Sequence, residues 1–258
     1  MRLKSIFTAF IILTFFVSGY SISIEKLNEA KALIKEGVDN WNEKTLKEAS
    51  DLVLNLILKE KGNPYLFYYL ALADYRLTTF YIGRDSKKTE IYLKEGKEYL
   101  KKAMELEPKE GEFYALYASL LGMEIGLTPQ DAMSLGMESE RYFFKAFDKA
   151  KDNPRVNLLY GVSLLYTPKE FGGGAKRASK YLLKSIALFE KEKIEDPIKP
   201  SWGFEEAYTY LGIVWYEMDE KEKAKEAFEK TLGINPSFGY AKMWLKRLEA
   251  DKKRLDEK

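Results

Sequence analysis

The sequence predicts an all-α fold of stacked helix hairpins, on three observations. In the C-terminal third, apolar and small residues recur at helical spacing: Tyr208, Leu211, Gly212 and Trp215 form one stripe, Ala224 and Phe228 an answering one, and Pro236 follows. Two upstream stretches, Gly62 to Tyr75 and Asp152 to Tyr166, open alike, each with an Asn cap ahead of Pro at the first helical position. Between the apolar stripes, Lys and Glu alternate at the spacing of a solvated helix face.

Residues 1–19 read as an export signal ahead of this architecture. Basic Met1 to Lys4 precede an apolar run, Ile6 to Val17, and then small Ser18 and Gly19. Cleavage is expected after Gly19 or Ser21, with an uncleaved anchor as the alternative. Removing this segment takes Arg2 and Lys4 with it, so the formal net charge of +2 disappears and nothing electrostatic favours a nucleic-acid partner. With no cysteine, neither a disulfide nor an N-terminal lipid on cysteine is available, and packing alone must hold an exported chain together.

The repeat domain is expected over residues 22–238. A weak first pair spans Lys26 to Lys61, with Ala49 and Val53 on its second helix. The next sets Phe67, Leu70, Ala71 and Asp74 against Gly96, Leu100 and Ala103, closing at Pro108. A third sets Tyr114, Tyr117, Ala118 and Leu121 against Phe143, Phe147 and Ala150. The fourth sets Asn157, Tyr160, Gly161 and Leu164 against Ala178 and Leu182. In the last repeat nine residues separate Trp215 from Ala224, whereas 22 separate Asp74 from Gly96 and Leu121 from Phe143. The second and third hairpins should therefore extend beyond the stack and pack on each other. Residues 239–258 read as a capping helix, with Tyr240, Trp244 and Leu248 on one face and almost only charge beyond Ala250.

Glu205 to Phe238 resembles one tetratricopeptide (TPR) repeat over its whole length, matching the spacing W-x2-L-G-x2-Y, A-x3-F, P with the terminal aromatics exchanged. The resemblance implies a right-handed solenoid of about five TPR-like hairpins with a C-terminal capping helix, similar to a group of exported bacterial TPR proteins. A more distant likeness is to periplasmic TPR accessory subunits of solute transporters, whose lipidated cysteine this chain lacks. It also implies an inner face lined by the first helix of each repeat. Carried over, that face comprises Tyr65, Tyr68, Leu72, Tyr75 and Arg76; Ala115, Ser119 and Gly122; Arg155, Leu158, Val162 and Tyr166; and Thr209, Ile213 and Tyr216. Arg76 and Arg155 are the expected anchors for an acidic group. Such a face suits an extended peptide or an apolar ligand with a polar end. It can equally be plain helix packing.

The triplet Gly172 to Gly174, behind Phe171, raises the question of an anion cradle. A phosphate loop needs a strand before it and Gly-Lys-Ser/Thr at its end, and this stretch has neither. A structural turn with Phe171 tucked between helices is expected, with an anion held at the next helix start as the lesser alternative. Without histidine or cysteine, His- or Cys-based catalysis and zinc sites are excluded. The expectation is a non-enzymatic scaffold of the cell envelope or periplasm, without cofactor, binding a protein or peptide; the alternative is a carrier of a small amphiphilic or carboxylate ligand. The Lys/Glu bias and single glutamine are of the kind reported for proteins that work hot.

Overall fold

The computed structural model describes the backbone of residues 17–256 and the side chains of residues 24–254. Most of the segment read as a signal therefore lies outside the described residues. Five antiparallel hairpins follow in order: α1 (Val17–Asp39) with α2 (Glu43–Lys59), α3 (Pro64–Tyr81) with α4 (Ser86–Leu106), α5 (Gly111–Glu124) with α6 (Ala132–Ala150), α7 (Pro154–Tyr166) with α8 (Ala175–Phe189), and α9 (Phe204–Glu217) with α10 (Lys221–Ile234). A single helix, α11 (Gly239–Asp256), caps the stack. Among the described residues there is no strand, and no helix is long and apolar enough to cross a membrane.

Local chemistry sets the boundaries. Asn63 and Asn153 accept from the first free backbone N–H groups of α3 and α7, and Pro occupies the first position of each, where a missing N–H costs nothing. Asp85 caps α4 in the same way. Within the last hairpin, Gly212 fulfils the role its repeat position implies: a Cβ there would sit 2.5 Å from the fully buried ring of Phe228, so only glycine lets α9 and α10 approach this closely. Trp244 of α11 stacks on that same Phe228 ring at 5.9 Å, which docks the cap.

The two longer hairpins differ. In the second, the extra residues lengthen both helices; in the third they form an irregular connection with a short 3-10 turn, Pro129–Asp131, because Thr128-Pro129 cannot continue a helix. They do pack side by side, with Lys97 of α4 ion-paired to Glu124 of α5.

Between α7 and α8 the chain turns through a 3-10 segment, Lys169–Phe171, and then through Gly172 at φ +82° and Gly174 at φ +99°, a region L side chains avoid. All three glycine amides are occupied: Gly172 donates to Lys169 O (3.0 Å), Gly173 to Pro168 O (3.0 Å) and Gly174 to Leu164 O (2.7 Å). The phosphate-cradle geometry is absent, because no N–H of the triplet faces outward. Phe171 does not tuck between helices; it is 74% exposed, because the tight path through the glycines carries it outward.

The inner helices form a ring. Contacts run α1 to α3, α3 to α5, α5 to α7, α7 to α9, α9 to α11, and from α11 back to α1. Asp39, at the end of α1, closes it by accepting from Asn235 Nδ2 (2.8 Å) and Ser237 Oγ (3.1 Å) at the α10–α11 connection, and Lys35 bridges to Glu205 at 3.6 Å.

Two expected outcomes test this packing. A Cβ at residue 173 would overlap the carbonyl of Thr167, so Gly173→Ala should cost roughly 1–3 kcal/mol, the usual penalty for overfilling a packed site, read as a lower Tm. Asp74 is buried on α3 with Oδ2 unpartnered, and burial, reinforced by Glu95, holds its carboxyl well above the ordinary 3.8. A raised folded pKa favours the fold below about pH 3.8 and loses that contribution as pH rises through the folded value. Relative to Asp74→Asn, the native protein should thus become less stable as pH increases, measured by urea denaturation at several pH values.

Candidate functional site

The first turns of α3, α5, α7 and α9 lie toward one end of the ring and their last turns toward the other, and the two ends differ in chemistry.

At the first end, residues 190–203, which link α8 to α9, fold back onto the inner face. Tyr69 donates to Ile198 O (2.9 Å), Trp202 Nε1 donates to Tyr68 Oη (2.8 Å), and Lys199 pairs with Glu110 at 2.6 Å beside Tyr65. Tyr68 in turn donates to Glu112, which also accepts from Asn153 Nδ2 (3.1 Å) and faces the Arg155 guanidinium at 3.9 Å. Arg155 makes a two-pronged bond to Glu192 of the linker (2.7 and 2.8 Å). Arg76 does the same with Glu206 (2.7 and 2.6 Å) while stacking over Trp202 at 4.6 Å. Glu112 and Glu206 lie in the first turns of α5 and α9, where the helix dipole favours a negative group. Burial pushes both carboxyls above their ordinary value, against the pull of Arg155 and Arg76 respectively.

Tyr65, Tyr68, Leu72, Arg76, Arg155 and Leu158 therefore share one end of the ring but are buried, their polar atoms mostly engaged within the chain. The two arginines already hold carboxylates, and those carboxylates are Glu206 and Glu192. Ala115, Thr209 and Ile213 are packed in the walls, Thr209 Oγ1 lying 3.0 Å from Thr231 Oγ1. Ser119, Gly122 and Val162 are half-buried along α5 and α7. Tyr216 points away from this set, bonded to Asp251 of the cap at 2.6 Å.

At the opposite end the surface is aromatic and open. Tyr166 is 65% exposed at this aromatic mouth, and Tyr240 lies close enough to add to the upward shift of its hydroxyl. Tyr240 meets Tyr210 at 6.3 Å and Trp41 at 6.0 Å, and Trp41 meets Phe80 at 6.2 Å. Tyr75 forms the floor, its hydroxyl pushed up to about 12 by burial. Burial likewise raises Tyr210, with the Tyr75 and Tyr166 hydroxyls adding to it. Arg84 lies over Trp41 (5.7 Å) and Phe80 (5.1 Å) without a carboxylate within 4 Å among the described residues. Tyr75 and Tyr166 were legible as inner-face positions. Trp41, Phe80, Arg84, Tyr210 and Tyr240 were not, and the two halves of this set, Trp41 with Phe80 and Arg84 and Tyr210 with Tyr240, meet only through closure of the ring.

No protein-family profile and no curated protein matches the chain. Among solved structures it is similar to the HusA haemophore from Porphyromonas gingivalis, at 22% identity and TM-score 0.63, covering 80% of this chain and 96% of that one. It is also similar to YrrB, described as a TPR protein with an unusual peptide-binding site, at 16% identity and TM-score 0.40, over 87% and 92% of the two chains. MamA follows at 14% identity and TM-score 0.37, over 81% and 91%.

The buried pair at the closed end gives a clear expectation. Glu206→Gln leaves the Arg76 charge uncompensated in a nine-tenths buried site, so it should cost about 3–5 kcal/mol, measured by chemical denaturation. Five helix hairpins, the last with TPR spacing, joined end to end and capped by α11, give this protein a TPR-like fold.

Proposed function

We propose that the protein is a non-enzymatic binding protein of the cell envelope that carries a small amphiphilic ligand at its aromatic mouth. The observation that carries this reading is the aromatic cluster of Trp41, Phe80, Tyr210 and Tyr240, with exposed Trp41 and Tyr166 and buried Tyr75 at the same end of a ring whose other end is covered by its own linker. Trp41 meets Tyr240 edge-on and so gives an aromatic surface against which a flat apolar body can lie, and Arg84 beside Trp41 offers a cation without a carboxylate to an anionic end. A haem-like tetrapyrrole, flat and carrying carboxylates, has this chemistry, and a haemophore shares the fold. The lack of histidine and cysteine supports a carrier over a catalyst. Export rests on the N-terminal signal pattern.

Titration with hemin tests this. Saturable binding with a shifted Soret band is expected, weakened about tenfold or more in Trp41→Ala and Tyr166→Ala, as loss of one stacking wall implies, and unchanged in Tyr114→Ala on the far side of the third hairpin. Equal affinity in all four proteins would overturn the assignment.

A second reading, a protein partner, is favoured by one feature. Met133, Met137 and Phe144 fall on a single stripe of α6, at the outside of the third hairpin, and all three are exposed. Apolar groups of this size on one line suit a helix or a strand of a partner.

A further inference from the structure

A second cavity, of about 370 Å³, lies at the seam where the first hairpin meets the last, away from the aromatic mouth. Its walls are largely apolar, with Ile34 and Val38 of α1, Leu72 of α3, and Ile234 and Phe238 beside α10. Its charged groups are not equally satisfied. Asp39 is held by Lys35, Asn235 and Ser237; Glu205 faces Lys35; Glu206 has both prongs of Arg76. Every acid in the lining has a donor. Lys31 differs: its ammonium donates only to the carbonyls of Pro197 (3.0 Å) and Lys199 (2.9 Å) and lies 5.7 Å from the Tyr69 ring, with no carboxylate within 4 Å among the described residues. Burial and the nearby Arg155 guanidinium disfavour its charge, which Asp196 offsets only in part. An ammonium has three N–H donors, so one that donates to two carbonyls keeps a third, for which an anion is the strongest acceptor.

We infer that this seam cavity is a second ligand site, for a monocarboxylate with an apolar tail, whose carboxylate pairs with Lys31 while the tail lies against Ile34, Val38, Leu72 and Phe238. Small-molecule pockets run from about 300 to 1,000 Å³, so a cavity at the lower end selects a medium-length tail over a long one. Since the walls belong to both the first and the last hairpin, occupancy ties the ends of the chain together. The inference is independent of the ligand at the aromatic mouth.

Sodium octanoate is the probe, with octanol as its uncharged counterpart, measured by calorimetry and by thermal shift on the full chain. Octanoate should bind at least tenfold more tightly than octanol, and its binding should raise Tm and slow amide exchange in α1. Lys31→Met should reduce octanoate affinity to the octanol level, and Lys31→Arg should retain it. Tyr166→Ala, which alters only the aromatic mouth, should leave octanoate binding unchanged, so failure at the mouth and failure at the seam read separately. Equal binding of octanoate and octanol, or no binding, overturns the assignment on the native protein alone, whether or not Lys31→Met folds. Octanoate affinity preserved in Lys31→Met, or lost in Tyr166→Ala, overturns it as well.

Discussion

Asp39 ends α1, and the groups that satisfy it, Asn235 and Ser237, lie 196 and 198 residues further along the chain. Everything at the centre of the molecule depends on that contact. A helix-hairpin solenoid is normally quasi-one-dimensional, with each repeat answering only to its neighbours. Here the six inner helices return to their starting point, so first-helix side chains face a limited interior instead of an open groove. The individual hydrogen bonds are modest, of order 1 kcal/mol each, but they are buried and fix a register. With the ring closed, a residue on α3 can meet one on α9, as Arg76 meets Glu206.

Closure also explains why the two ends of the ring differ. Inner helices running in one sense place their first turns together, and the acidic residues there, Glu110, Glu112, Glu205 and Glu206, are suited to helix N-termini but costly to bury unpaired. The linker of residues 190–203 and the two arginines meet that demand. Ile198 and Trp202 pack on the inner face, and Lys199 reaches Glu110. At the other end the last turns of α3 and α7 carry aromatic residues, and the buried Asp39 that ends α1 is already held by Lys35, Asn235 and Ser237, so nothing calls for a second plug.

How legible this was in the sequence follows from range. Asn63-Pro64, Asn153-Pro154 and Asp85 fix helix starts through contacts two or three residues away, and Gly212 against Phe228 is a contact inside one hairpin. Such features repeat with the period of the motif and can be read directly. The ring is different, because a small rotation per repeat accumulates over five hairpins before α11 meets α1, and no local pattern records the sum. Positions such as Tyr68 and Arg76 were therefore identifiable as facing inward, while their engagement by Trp202 and Glu206 was not. Trp41 shows the same limit: at φ +51° in the α1–α2 turn it has no place in the repeat, yet it stands between Phe80 and Tyr240.

The occupied end bears on the kind of ligand the inner face can take. An extended peptide lying along a TPR concavity needs a row of exposed first-helix side chains with polar groups free to meet its backbone. In this chain that row is already met by a peptide, its own: backbone carbonyls of Pro197, Ile198 and Lys199 are taken by Lys31 and Tyr69, and Trp202 is both hydrogen-bonded to Tyr68 and stacked on Arg76. Displacing it would take Glu192 from Arg155 and Trp202 from Tyr68 and Arg76, and a buried guanidinium stripped of a carboxylate partner costs several kcal/mol by the usual desolvation penalty unless the incoming chain replaces it. A compact ligand at the aromatic mouth faces no such exchange, because Tyr166, Trp41 and Arg84 already lie open to solvent there. On the function proposed above, the asymmetry of the ring, more than the type of fold, is what favours a small molecule over an extended peptide.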